Sequence, residues 1–194
     1  MGIPLQKPSL LTSEEYLSIE RTAESKSEYY QGEIFAMAGA SACHNLIVSN
    51  MVVEIGSQIK NKDYRIYSSD MRLNILKNGL YTYPDIMVTC GLEHFSDDNH
   101  LDTLLNPILI VEVLSQSTEL YDRGNKFEMY RELDSLMEYV LVSQSKYHVE
   151  QFIRQDSGKW IFSEYKDKES TIQLLDLELN MIDIYKNVIQ RGKE

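Results

Sequence analysis

The apolar residues of this chain recur with two periods, and the change from one to the other marks out its elements. From Ser41 to about Asn61, Ile47, Met51, Ile55 and Ile59 return every four residues beside Val48 and Val52, which predicts a long helix with one buried face. Thr12 and Glu15 have the spacing of a capping box ahead of Tyr16, Leu17 and Ile19, so a short helix is expected there. Aromatic and branched residues from Glu28 to Met37 flank Gln31 and Gly32, the pattern of a tight hairpin. Tyr64 to Ser68 and Met71 to Leu76 alternate as strands, Asn78 and Gly79 mark a turn, and Pro84 to Cys90 reads as a further strand that proline can begin. Glu93 to Asp102 has no period and reads as an exposed loop.

Ile108 to Leu114 is the most apolar run, as befits a strand covered on both faces at the centre of a sheet. Ser117 to Leu133 reads as a helix, with Leu120, Phe127, Tyr130 and Leu133 on overlapping faces, and Met137 to Val142 as a strand. Strand, helix, strand predicts a parallel crossover. His148 to Ile153 and Lys159 to Tyr165 form a hairpin about Ser157 and Gly158, followed by Thr171 to Leu177 and a short helix near Ile182 to Ile189. The expected class is mixed α/β.

Composition narrows this picture. A length of 194 residues predicts one domain, residues 1–194, with an N-terminal extension of about residues 1–11. Hydrophobic residues at 43% and charged residues at 25% are globular values and argue against disorder. The 20 residues from Ile34 to Val53 lack any Asp, Glu, Lys or Arg, but Ser41, His44, Asn45, Ser49 and Asn50 fit a buried strand and helix better than a membrane span. Met1 to Leu11 does not resemble a secretory signal, so a cytoplasmic protein without membrane contact is expected. Cys43 and Cys90 read as reduced thiols, not a disulfide framework or a thiolate metal site. A formal charge of −11 means that any nucleic-acid site is local or metal-assisted.

The chemistry begins with Glu112. An ionised carboxylate between Val111 and Val113 requires a partner, a metal or a raised pKa. Asp85 opens the strand PDIMV, and if the two strands are neighbours both carboxylates can present oxygens at one edge. That is a donor set for magnesium, or manganese, which takes one or two carboxylates and retains waters. Phosphate loops, dinucleotide fingerprints and nucleophile elbows are absent from the sequence. The histidines lack a His-x-x-x-His spacing, so no zinc site is expected.

Pro84-Asp85 followed by Glu112 in an apolar strand resembles the PD-(D/E)xK restriction-endonuclease-like superfamily. Over most of the chain, LTSEEYLSIE, GEIFAMAGASACHN, YSSDMRLNI, YTYPDIMVTCG, NPILIVEVLSQST, DRGNKFEMYRELDSLMEYVLV and Trp160 resemble the Uma family of "putative restriction endonucleases". The resemblance implies a restriction-endonuclease-like fold: a central mixed β-sheet flanked by helices, with N-terminal and C-terminal hairpins. It also implies that Asp85 and Glu112 bind magnesium for phosphodiester cleavage. The superfamily's lysine two residues after the glutamate is Leu114 here, and the family's lysine on the following helix corresponds to Lys126. Asp122, four residues before Lys126, offers the alternative of a surface ion pair.

Asp70 and Glu33 are further carboxylates that could join a metal site, or else cap a strand and face solvent. His44 could donate to a phosphate or cap the long helix. Lys60, Lys62, Arg65, Arg72 and Lys77 outnumber Asp63 and Asp70 locally, making this stretch the phosphate-facing candidate for DNA, with a solvated helix end as the alternative. The leading expectation is a magnesium-dependent DNA endonuclease using Asp85, Glu112 and Lys126. A homodimer would let two sites address two strands. The rivals are a nucleic-acid-binding module with weak or no cleavage, and a structural or regulatory protein.

Overall fold

Helix α1, Ser13–Glu20, begins where Thr12 and Glu15 close their capping box: Glu15 N donates to Thr12 Oγ1 at 3.2 Å and Thr12 N to Glu15 Oε2 at 2.8 Å. The structure, a computed structural model, describes residues 10–96 and 99–188. Of the expected extension only Leu10 and Leu11 lie among them, and the end of the helix expected near Ile189 lies outside them.

Strands β1 (Ser27–Tyr30) and β2 (Glu33–Ala36) form the expected hairpin. Gln31 and Gly32 both take positive φ, and Leu10 packs where a side chain on Gly32 would stand. Helix α2, Ala42–Gln58, is capped by Ser41 and buries Ile47, Met51 and Ile55. Strands β3 (Tyr64–Ser68), β4 (Arg72–Ile75), β5 (Leu80–Thr82), β6 (Ile86–Cys90), β7 (Thr103–Leu104) and β8 (Leu109–Leu114) follow. The short strands β5 and β7 are not marked by any period in the sequence, since two or three residues carry no alternation to read. The helix expected from Ser117 to Leu133 is divided: α3 (Glu119–Tyr121), a π-helical turn (Asp122–Lys126) and α4 (Phe127–Tyr130). Strands β9 (Glu138–Ser143), β10 (Val149–Arg154), β11 (Trp160–Tyr165), β12 (Thr171–Leu174), β13 (Leu177–Asn180) and helix α5 (Met181–Ile184) complete the chain. Thr171 to Leu177 is therefore part of a hairpin, with Leu175 turning at positive φ.

A six-stranded mixed sheet runs β11-β10-β9-β8-β6-β3, with β8 and β9 parallel across the helical crossover. The N-terminal hairpin belongs to a second sheet, β2-β1-β5-β4-β7. Leu109, Val111 and Val113 pack with α2 and α5 on one face of the large sheet. Ile110 and Leu114 pack on the other face with Leu73, Leu80, Tyr130 and Tyr139, from the second sheet, α4 and β9. Glu112 alternates with the first set, so it points into the second core. Among the described residues no helix is long and apolar enough to cross a membrane.

Candidate active site

Strands β6 and β8 pair antiparallel with Ile86 opposite Val111, which puts Asp85 and Glu112 one step further along, at the end of this pairing. Asp85 accepts the Val113 amide on Oδ2 at 2.7 Å, while His44 Nε2 lies 2.9 Å from its Oδ1. Each oxygen of a carboxylate has a second lone pair, so these contacts orient Asp85 without exhausting it. His44 reaches it from the first turn of α2, next to the Ser41 cap.

Glu112 is 4% exposed. Its Oε1 accepts from Tyr130 Oη at 2.7 Å and lies 3.0 Å from Lys126 Nζ. The same ammonium stands 3.2 Å from Glu28 Oε1 and 3.7 Å from Asp122 Oδ1. Glu28 is held in turn by Thr82 Oγ1 at 2.5 Å and by Tyr121 Oη at 3.4 Å. The i,i+4 pair of Asp122 with Lys126 considered from the sequence does form, but buried and not at the surface, because the π-helical turn directs both residues inward.

Electrostatics follow from this crowding. Burial pushes the Glu112 carboxyl up to about 8, Lys126 works against that shift, and the charges of Asp85 and Asp122 add to it. Asp122 is raised by burial as well, against the opposing effect of Lys126. Burial disfavours the Lys126 ammonium, but Glu112, Glu28 and Asp122 more than reverse this and hold it well above the ordinary lysine value. Burial likewise lowers His44, and its hydrogen bond and attraction to Asp85 overcome that to raise it.

The structure thus brings together Asp85, Glu112, Lys126 and His44. It adds Glu28, Asp122 and Tyr130, which the sequence did not single out as site residues. Glu28 and Glu33 flank the same turn, and it is Glu28 that reaches Lys126 while Glu33 lies on an exposed strand. Asp70 is paired with Lys26 and its side chain is 93% exposed. Lys60 is exposed, Lys62 pairs with Asp176, and Arg65 pairs with Asp63 and Glu93. Arg72 is 2% exposed and bonds Asp102, Thr103 and Tyr83, so its guanidinium is committed inside the protein, away from any phosphate on the surface.

A hard divalent cation suits the pair Asp85 and Glu112: both donors are carboxylate oxygens, Asp85 immediately precedes β6 and Glu112 lies on the neighbouring β8, and magnesium needs no more than two such ligands from a protein. Glu28 and Asp122 supply additional negative charge around the same lysine.

Comparison with known proteins gives the chain its family and its fold. Two proteins of Synechocystis sp. are similar to the chain: uncharacterized protein sll1609, 39% identical over 84% of this chain and 92% of its own length, and uncharacterized protein slr1290, 34% identical over 94% and 92%. A crystal structure of a "putative nuclease belonging to DUF820" from Anabaena variabilis ATCC 29413 shares the fold, with a TM-score of 0.73 and 20% identity over 90% of this chain and 97% of that one. The model of the Uma2 family, described as "Putative restriction endonuclease", matches residues 13–183, and the chain belongs to that family.

Proposed function

We propose that this protein is a magnesium-dependent endonuclease that hydrolyses phosphodiester bonds of DNA. The observation that carries the reading is the buried Glu112, held between Lys126 and Tyr130 and opposite Asp85 on the next strand. Family membership and the shared fold point the same way.

Asp85 and Glu112 would hold the ion, and manganese would fit the same donors. When bound, such an ion offsets charge on phosphoryl oxygens and lowers the pKa of a water. The residues of the chain account for the remainder. Glu112, with its carboxyl raised to about 8, must give up a proton to bind a cation at neutral pH, so cation affinity should strengthen as pH rises. Lys126 keeps its proton, which makes it a donor and a fixed positive charge and excludes it as a general base. Its ammonium would orient the attacking water and offset charge that builds on the phosphate. Tyr130 and the Glu28 carboxylate fix the position of that ammonium and its Glu112 partner. His44, whose pKa the contact with Asp85 raises against the effect of burial, would donate to a phosphate oxygen.

A plasmid-nicking assay in magnesium and in EDTA tests this, alongside calorimetric titration of magnesium. Cleavage should require the ion, and Asp85→Asn and Lys126→Met should each reduce it by about 10²-fold or more. Asp85→Asn should also weaken magnesium binding in a folded protein. Cleavage that persists in EDTA, or a folded Asp85→Asn protein with parental magnesium affinity, would overturn the assignment.

A further inference from the structure

Two strands beyond Glu112 the large sheet carries a second convergence of donor atoms. Glu112 on β8, Leu141 on β9, Glu150 on β10 and Glu164 on β11 stand in one transverse row. Glu150 and Glu164 are thus direct cross-strand partners, an arrangement of like charges that costs stability unless a cation lies between them. His148, the residue before β10, turns its Nε2 toward both, 3.4 Å from Glu150 Oε1 and 3.1 Å from Glu164 Oε2, and the three donor atoms all lie within 4.8 Å of one another.

Three features separate this cluster from an ordinary surface ion pair. His148 and Glu150 are nearly buried, at 7% and 8% exposure, while the more open Glu164 leaves a way in from solvent. The outer oxygen of each carboxylate is already held: Glu150 Oε2 by Arg123 Nη1 and Glu164 Oε1 by Lys166 Nζ at 2.7 Å. Each glutamate therefore presents its other oxygen inward in a fixed orientation, as outer-shell partners do for metal ligands. His148 is fixed as well, since Tyr185 Oη accepts its amide at 3.2 Å and donates to its carbonyl at 2.9 Å. Nε2 has one position for a proton or a lone pair, and two carboxylate oxygens compete for it. Donors bound about 2.0–2.2 Å from one tetrahedral zinc ion are roughly 3.3–3.6 Å apart, close to both His148–glutamate separations.

We propose that His148, Glu150 and Glu164 form a second metal site, distinct from that of Asp85 and Glu112, which takes zinc with one position open to water. One imidazole and two carboxylates favour a borderline transition metal, whereas a site with carboxylates alone suits magnesium. The proposal does not depend on nuclease activity. It has a structural consequence, because Arg123 lies in the π-helical turn between Asp122 and Lys126: an ion that fixes Glu150 braces the turn that carries the lysine.

The test is calorimetric titration of zinc into the full chain with magnesium in excess, so that hard-cation sites are occupied. One zinc per chain is expected, with X-ray absorption showing nitrogen and oxygen ligands. His148→Ala and Glu164→Gln should each weaken binding by at least about tenfold, and Glu112→Gln should leave it unchanged. Because Glu164 is partly exposed, its variant keeps the test usable if the His148 variant does not fold. Failure to bind zinc, binding that survives both substitutions, or binding lost in Glu112→Gln would overturn the proposal.

Discussion

Lys126 and Arg72 are both buried cations among acids, yet their surroundings differ in balance. Arg72 shares Asp102 with Arg21, bonds Thr103, and donates to Tyr83 Oη, which itself donates to Glu20. Two guanidiniums face two carboxylates there, and their hydrogen bonds interlock. Lys126 faces Glu28, Glu112 and Asp122, with Asp85 behind Glu112 and His44, among the described residues, as the further basic group. The first arrangement is complete as it stands. The second has surplus negative charge in a desolvated place, which one more cation would relieve. Burial of charge alone therefore does not separate the two networks; the uncompensated sign around Lys126 does.

The largest effect that could break this contrast comes from removing each cation. Lys126→Met leaves two buried acids, Glu112 and Asp122, and the half-buried Glu28 uncovered and should cost about 3–5 kcal/mol in EDTA, with much of the loss restored by magnesium. Arg72→Met should cost toward the lower end of that range, because Arg21 still covers Asp102, and magnesium should restore none of it. Thermal melts with magnesium or EDTA compare the two; equal rescue of both variants, or of neither, would erase the distinction.

A smaller effect is a pH dependence of opposite sign in the two regions. The folded Glu112 carboxyl lies near 8 against an ordinary 4.5, so between those values the folded protein binds the extra proton. Metal-free stability should thus fall as pH rises through that window, and Glu112→Gln should flatten the fall. For Asp102 burial raises the carboxyl, but Arg21, Thr103 and Arg72 more than reverse this and hold it well below its ordinary 3.8. Its contribution is present above about 3.8 and is lost as pH falls further. Asp102→Asn should flatten the acid side alone, as denaturant titrations across pH would report. The smallest effect is expected at Asp70, whose carboxylate is 93% exposed and pairs with Lys26 at the surface. Asp70→Asn should change stability by less than about 0.5 kcal/mol and leave cleavage at the parental rate.

The elements with a long enough period were legible in the chain itself. The Thr12–Glu15 cap, the four-residue recurrence along α2, the Gln31-Gly32 turn and the apolar run of β8 are local patterns, and local burial and hydrogen bonding reproduce them. Glu112 was legible for the same reason, as a carboxylate in a strand otherwise buried on both faces, and Lys126 only through the family resemblance. Partners were not legible. Glu28 and Glu33 are equivalent in the hairpin pattern, and what separates them is the pairing of β1 with β5, which sets Glu28 beside Thr82 and Lys126. Arg72 reads as a surface base in a basic stretch until β4 pairs with β7 and buries it beside Asp102 and Thr103. His148, Glu150 and Glu164 have no ligand spacing along the chain, and the register of β10 on β11 alone brings them together. Sequence periodicity reports which side of an element is removed from water, a short-range property. Which charges meet there depends on strand order and register, which link residues tens of positions apart.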